Sequence, residues 1–239
     1  MSWIITGREA GPADPYIGNV SLLLHGDGDN GSTTIVDNSP SPKTVTAFGN
    51  AQISTAQSKF GGSSIAFDGA NSYLTVSSAG APGDLGSQDF TVECWTYLLS
   101  RDNTKPCIVA NYSSFAAGSF SIFAGHQNAP GGSTRYQLAL NGSGFPSINA
   151  GTVVYNSWVH IAVVRSGSTV AFYVNGTSIG STTSTANLVG TTGSLWIGNS
   201  GDDLVNGGIN GYIDDLRITK GIARYTANFT PPTAPFPDI

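Results

Sequence analysis

Val170-Ala171-Phe172-Tyr173-Val174-Asn175-Gly176-Thr177-Ser178-Ile179 holds the feature that decides the fold class. Two runs rich in β-branched and aromatic residues flank an Asn-Gly pair. Asn-Gly takes the positive-φ type I′ turn, whose twist matches that of paired antiparallel strands. The stretch therefore reads as a β-hairpin. Just upstream, Trp158–Arg165 and Ser168–Val174 are joined by Ser166-Gly167, so three strands follow one another. Working outward, similar runs recur at Val20–His25, Ser64–Asp68, Tyr73–Ser77, Phe90–Leu99, Cys107–Tyr112, Ser119–Ala124, Arg135–Leu140, Leu195–Gly198 and Tyr212–Thr219. Gly69-Ala70-Asn71-Ser72 reads as a hairpin connection, and residues 80–89 as a long loop. No segment sustains the 3.6-residue period of an amphipathic helix. A dozen or more short strands with close turns make an all-β antiparallel sandwich or barrel.

The composition agrees. The 239 residues fit one all-β domain. Charged residues make up 10% and aromatics 10%, with 31 glycines, which is the opposite of the low-hydrophobicity, high-charge signature of disorder. The net charge is −5 and the ten Lys and Arg are scattered, so nucleic-acid binding, which needs a clustered basic face, is excluded. No apolar run approaches the ~20 residues of a membrane span. Met1–Glu9 lacks a basic start and a long apolar core, so it does not read as a secretory signal, and the chain is expected either to be made in a cytoplasm or to have lost its leader. Residues 1–15 are expected to be an N-terminal arm, 16–230 the domain, and 231–239 an extended tail. Thr230–Pro237 carries four prolines in eight residues and cannot join a central strand. Cys94 and Cys107 lie on consecutive strands. If these pair, Cys94 faces residue 111 or 112, too far from Cys107 for a bridge, so two free, buried thiols are expected.

Four blocks carry a resemblance: Ser64-Ile65-Ala66-Phe67-Asp68-Gly69 with Tyr73-Leu74-Thr75-Val76; Phe90-Thr91-Val92-Glu93-Cys94-Trp95; Trp158–Arg165 with Phe172-Tyr173-Val174-Asn175-Gly176; and Gly211–Ile218. Together they resemble laminin-G-like domains of the concanavalin A-like superfamily, over roughly residues 20–230. The resemblance implies a two-sheet antiparallel jelly-roll sandwich. Leu22–Gly28 and Gly221–Pro232 further resemble laminin-G-like proteins of tailed bacteriophages. That implies a virion-surface structural protein, such as a capsid decoration, head fibre or tail fibre, with virion proteins and further copies of itself as partners and a host surface glycan as ligand. The competing reading is an extracellular lectin-like adhesion module.

Catalysis is not expected. Glycosidases set two carboxyls across a sugar ring, and the hydrolases of this superfamily carry Glu-x-Asp-x-Glu. Only Glu9 and Glu93 are present, and no such motif exists. Asp202-Asp203 and Asp214-Asp215 are adjacent residues, which point to opposite faces of a regular strand. His160 alternates with Trp158, Ala162 and Val164 and reads as a packed strand histidine. No Gly-x-Ser-x-Gly elbow accompanies His25, His126 or His160.

Asp27-Gly28-Asp29-Asn30-Gly31 lacks the Glu that closes an EF-hand loop. Asp214 shares alternation with Tyr212, Leu216 and Ile218, a face expected to point inward, while Asp215 has Arg217 as its opposite-charge neighbour. Many laminin-G-like domains hold one structural calcium with Asp side chains. The resemblance makes Asp27, Asp68 and Asp214 the candidates, against plain hydrogen bonding of Asp68 and Asp214 to backbone turns. Sugar sites stack aromatic rings on pyranose faces, so the loop aromatics Tyr112, Phe115 and Phe145 are the candidate ligand residues. Trp95, Trp158 and Trp196, in strands, are expected in the core. Trp3, Ile4 and Ile5 lie in an apolar stretch that could add to a partner's sheet edge, which makes them the candidate partner anchors.

Overall fold

The computed structural model describes residues 13–77, 82–100, 103–111, 116–126, 134–142, 147–190 and 194–238. After a single 3₁₀ turn, Ile17–Asn19, it holds β1 (Val20–Leu24), β2 (Val45–Phe48), β3 (Gln52–Ser54), β4 (Ser64–Asp68), β5 (Tyr73–Ser77), β6 (Phe90–Ser100), β7 (Cys107–Ala110) and β8 (Phe120–Ala124). There follow β9 (Arg135–Leu140), β10 (Ile148–Thr152), β11 (Trp158–Ser166), β12 (Thr169–Val174), β13 (Thr177–Thr183), β14 (Ser194–Ile197) and β15 (Asn210–Lys220). One sheet runs β13-β12-β11-β6-β15-β4-β3, with β1 also paired to β15; the other runs β10-β9-β8-β7-β14-β5-β2. All strand pairings between them are antiparallel. This is the two-sheet jelly-roll sandwich, not a barrel.

The Asn175-Gly176 turn forms as the sequence dictates, with φ of 47° and 73° joining β12 to β13. Alternation places every second side chain in the space between the sheets. In β6, Phe90, Val92, Cys94 and Leu98 enter the core. They meet Leu74 and Val76 of β5, Ile122 of β8, Leu138 of β9, Val163 of β11 and Ile197 of β14. Each such fully buried aliphatic or aromatic side chain contributes about 1.5–3 kcal/mol over leaving it exposed.

Several expectations are corrected. Gly69–Ser72 is not a hairpin: β4 lies in the eight-stranded sheet and β5 in the seven-stranded one, so the chain turns a corner between layers. β6 and β7 are likewise in opposite sheets. Cys94 and Cys107 are both free and buried, as expected, but the reason is that the layers separate them, not their register within one sheet. Trp95 is buried, as expected, but on the outer side of its sheet under Phe60 and Lys59 and not between the layers, whereas Trp158 and Trp196 are only half-buried; all three point away from the inter-sheet core because their neighbours Cys94, Val159, Leu195 and Ile197 point in.

β15 departs from strict alternation. Its first part pairs with β4 and its last part with β1, and between them the register against β6 slips at Asp214-Asp215. Asp215 has φ 51°. This bulge lets Ile213 and Leu216, three residues apart, both enter the core. Asp214 therefore does not share the inward face of Leu216 and Ile218. Asp215 does not pair with Arg217 either; its carboxylate meets His25 Nδ1 and accepts from the Phe236 amide at 2.6 Å.

Beyond β15 the chain crosses the outer face of the eight-stranded sheet. Thr91 Oγ1 donates to the Ile222 carbonyl and accepts from the Arg224 amide, each at 3.0 Å. Tyr225 and Phe229 pack on Ala162, Val164 and Tyr173, and Phe236 is buried against Val20 and Leu23. No helix among the described residues is long and apolar enough to cross a membrane.

Candidate functional site

The outer face of the seven-stranded sheet carries a row of aromatic rings at its β2 edge. Phe48 and Tyr73 sit opposite each other on β2 and β5 and stack at 4.7 Å with planes 14° apart. Tyr73 is in turn 5.0 Å from Trp196 on β14, tilted by 37°. Leu74 and Val76, with Leu195 and Ile197, occupy the core, so alternation forces Tyr73 and Trp196 outward. Tyr73 is sandwiched, so its faces serve the row. Phe48, on the edge strand and 40% exposed, has a face to offer a ligand. The Trp196 indole Nε1 is buried without a hydrogen-bond partner among the described residues.

A polar rim adjoins the row. The turn after β2 presents Asn50, and the corner after β4 presents Asp68 and Asn71, all three exposed. Asn50 Nδ2 donates to Asp68 Oδ2 at 2.7 Å, and Asp68 Oδ1 accepts from Ser72 Oγ at 2.6 Å and from the Ala70 amide at 3.0 Å. These bonds hold the Asp68 carboxyl below its ordinary value, more than offsetting the effect of its partial burial. Asn103 Nδ2 donates to the carbonyls of Gly69 and Gly208 and pins the corner from behind. A ring face beside fixed amide and carboxylate groups is the chemistry that binds a sugar: C–H faces stack on the ring while hydroxyls find donors and acceptors.

The calcium trio does not assemble. Asp68 pairs opposite Asn210, four residues or roughly 13 Å along β15 from Asp214, and its oxygens are taken by Asn50, Ala70 and Ser72. Asp27 does approach Asp214, closely enough for its charge to act on that carboxyl. Yet no three His, Cys, Asp or Glu side chains converge among the described residues. Asp214 Oδ2 already accepts the Lys59 and Phe60 amides at 2.7 and 3.0 Å. The residues present do not fit the three-carboxylate cation site. The same corner can be neutralised by a proton instead. Burial lifts the Asp214 carboxyl to about 7 against those two amide bonds, and the charges of Asp215 and Asp27 push it the same way.

The sign follows from linkage. A carboxyl raised in the folded state stabilises below its unfolded value of 3.8 and loses that contribution as pH rises through about 7. Asp214→Asn keeps an acceptor for the two amides and carries no charge. It is expected to raise Tm by about 2–4 °C at pH 8, with no gain at pH 4. Thermal melts of both proteins from pH 4 to 8 check this, and parallel curves across the range would refute it.

Tyr112, Phe115 and Phe145, and the arm residues Trp3, Ile4 and Ile5, lie outside the described residues. The strand histidine is packed: His160 is fully buried, 5.2 Å from the Trp95 ring and 5.7 Å from Phe229. Its Nε2 is 3.3 Å from Glu93 Oε2. Glu93 also receives Arg217 Nε and Nη2 at 3.0 and 2.7 Å and the Tyr225 hydroxyl at 2.8 Å. Its carboxylate is thus enclosed by partners. Asp202 and Asp203 both face Lys105, at 3.6 and 3.7 Å.

Two stacked antiparallel sheets in jelly-roll order are accompanied by a direct sequence match. Residues 68–223 fit the Laminin_G_3 model of the concanavalin A-like lectin/glucanases superfamily. The chain belongs to this superfamily. Among solved structures, it superposes on domain 4 of AbnA, a GH43 extracellular arabinanase from Geobacillus stearothermophilus, solved with arabinotriose. That likeness has a TM-score of 0.60 at 16% identity over 86% of this chain and 94% of the other. The binding domain of botulinum neurotoxin DC, solved in complex with SialylT, gives 0.60 at 15% identity over 86% of this chain. A botulinum neurotoxin type C structure, described as dependent on two ganglioside molecules for cell entry, gives 0.61 at 15% over 87%. The chain spans about half the length of the two toxin chains, 49% in each case. No curated protein matches the chain. At these identities the likeness shows a shared fold alone.

Within that fold the row Phe48–Tyr73–Trp196 escaped the sequence reading. A signal for two of its members was available. Tyr73-Leu74-Thr75-Val76 and Leu195-Trp196-Ile197 alternate cleanly, and the apolar partners on either side mark Tyr73 and Trp196 as outward.

Proposed function

We propose that this chain is a non-catalytic glycan-binding domain whose sugar site is the Phe48–Tyr73–Trp196 row with Asn50, Asp68 and Asn71 at its rim. The observation that carries the reading is an aromatic row at an exposed sheet edge, backed by amide and carboxylate groups already held in place. The solved relatives with saccharide or ganglioside in their descriptions favour the same reading. A non-catalytic role is favoured because Glu93 is sealed by Arg217, Tyr225 and His160.

Titration of the protein with neutral arabino-, xylo- and gluco-oligosaccharides, followed by tryptophan fluorescence and calorimetry, tests it. At least one series is expected to bind, and Phe48→Ala, at an exposed position, is expected to weaken that binding at least tenfold while leaving the circular dichroism spectrum unchanged. Binding that survives Phe48→Ala at full strength, or no binding across the panel, sinks the proposal.

The domain acts, in this reading, on a tailed-phage virion surface, contacting host glycans. The blocks Leu22–Gly28 and Gly221–Pro232 support that placement through their resemblance to phage laminin-G-like proteins. Mass spectrometry of purified particles checks it, with the chain expected among the particle proteins; an extracellular lectin-like module would be missing from them. Self-association through the arm is tested by deletion. Asp14 bridges Arg217 and Arg224 at 3.1 and 2.7 Å, so a deletion of 1–15 would damage the fold itself. A deletion ending at Pro12 keeps Asp14 and is expected to lower the oligomeric mass in light scattering.

A further inference from the structure

The outer face of the eight-stranded sheet carries a second set of rings. Trp158 of β11, Tyr97 of β6 and Tyr212 of β15 stand opposite one another in register across three adjacent strands. Their chain neighbours Val159, Leu98 and Ile213 enter the core, so alternation turns all three rings outward. Two other rings on this face are covered: Trp95 lies beneath Phe60 and Lys59, and Tyr173 beneath Phe229. The row of three stays half-buried. Beyond Tyr212 the same line crosses the small side chain of Ala66 on β4 and ends at the exposed Gln52 on β3. At one strand spacing per step, Trp158 to Gln52 covers about 19 Å, the reach of an oligosaccharide and not of a single sugar.

The geometry differs from that of the Phe48 row. Tyr97 lies 5.5 Å from Trp158 with planes 63° apart, and 6.1 Å from Tyr212 with planes 74° apart. Phe48 and Tyr73 are within 14° of parallel. Neighbouring rings at steep angles offer no common flat bench to a pyranose face, but the angle between them suits a small apolar group. The polar atoms point to what that group is attached to. The Trp158 indole N–H and the Tyr97 and Tyr212 hydroxyls make no hydrogen bond among the described residues, so three donors stand beside the ring surfaces. No charged side chain belongs to the row, and the Lys59 ammonium is held 3.9 Å over the Trp95 ring. The complement is a neutral ligand that carries a methyl next to a hydrogen-bond acceptor. An acetamido group is that pair: its methyl packs on aromatic carbon and its carbonyl accepts from N–H and O–H.

We propose that the Trp158–Tyr97–Tyr212 row binds an N-acetylated glycan, with acetamido methyls against the rings, acetamido carbonyls on the indole and phenol donors, and Gln52 on a sugar hydroxyl at the far end. The site shares with the Phe48 row only its broad ligand class. It lies on the other sheet and rests on other residues.

Calorimetry of the full chain with tri-N-acetylchitotriose and with cellotriose tests the proposal, since the first bears acetamido groups where the second has hydroxyls. Chitotriose is expected to bind. Trp158→Ala, checked for folding by circular dichroism, is expected to weaken it at least tenfold. Tyr212→Phe keeps the ring and its packing and is expected to weaken it about fivefold, the worth of one hydrogen bond. No chitotriose binding, or full-strength binding by both variants, would overturn the row. A cellotriose affinity that falls as far as chitotriose in Trp158→Ala would overturn the acetamido selectivity. Chitotriose binding lost in Phe48→Ala and kept in Trp158→Ala would move the ligand to the other sheet and overturn this site. The Phe48 row is judged on arabino-, xylo- and gluco-oligosaccharides, so its failure and the failure of this site are read separately.

Discussion

Arg217→Ala is expected to lower the unfolding free energy by about 3–5 kcal/mol, read from urea denaturation at pH 7. Arg217 is 4% exposed and its guanidinium does three things at once. It gives two hydrogen bonds to Glu93 Oε1, one to Asp14 Oδ2 at 3.1 Å, and lies 3.7 Å over the Phe236 ring. Removing it leaves the fully buried Glu93 without its main countercharge. It also loosens the two chain ends, since Asp14 precedes β1 and Phe236 lies in the tail. Removing one partner of a buried pair is costly because the other charge stays behind. The double replacement Glu93→Gln with Arg217→Met removes both charges and is expected to recover most of the loss. A loss below about 1 kcal/mol for Arg217→Ala would show that the network is not what holds the ends.

The same network has a signature in pH. Burial alone would raise the Glu93 carboxyl, but Arg217 and His160 outweigh it and hold it down at about 2, against an ordinary 4.5. A depressed carboxyl stabilises above its unfolded value, and that contribution is lost as pH falls through about 2. Glu93 and Asp214 therefore pull in opposite directions, one failing in acid and the other above neutrality.

Local features of this fold were legible because local chemistry determines them. The Asn175-Gly176 turn and the last strand are examples. The sheet to which a strand belongs is not local. A four-residue link such as Gly69–Ser72 serves a hairpin or a corner equally well, so β4 and β5 read as partners when they lie in different layers. The Asp214-Asp215 bulge depends on one residue at positive φ and reverses the alternation on which the inward reading of Asp214 rested. Glu93 and Arg217 are 124 residues apart, and only the pairing of β6 with β15 brings them together. The aromatic row had a readable signal at Tyr73 and Trp196, but Phe48 needed the β2–β5 pairing to show where it stands.

Gly176→Ala is expected to cost about 3 kcal/mol or more, well beyond the ordinary penalty for a turn glycine. Gly176 has φ 73°, so any side chain there is strained, which by itself costs about 1 kcal/mol. It is also where the C-terminal segment docks. The Phe229 amide donates to the Gly176 carbonyl at 2.9 Å, and the Ser178 amide to Asn228 Oδ1 at 2.9 Å. A Cβ on Gly176 would fall 1.8 Å from the Phe229 carbonyl oxygen, a contact that only displacement of backbone can relieve. That displacement would pull Phe229 from Tyr173 and His160 and part it from the β12–β13 turn. Gly167 supplies the control, since it lies in the β11–β12 turn at φ 60° and a Cβ there would meet nothing within 4 Å. Gly167→Ala therefore carries the conformational penalty alone. The difference between the two substitutions in urea denaturation measures how firmly the segment is seated. Equal losses at the two glycines would mean that residues 221–236 rest on the sheet without contributing to its stability; a gap of about 2 kcal/mol would make them part of the cooperative unit.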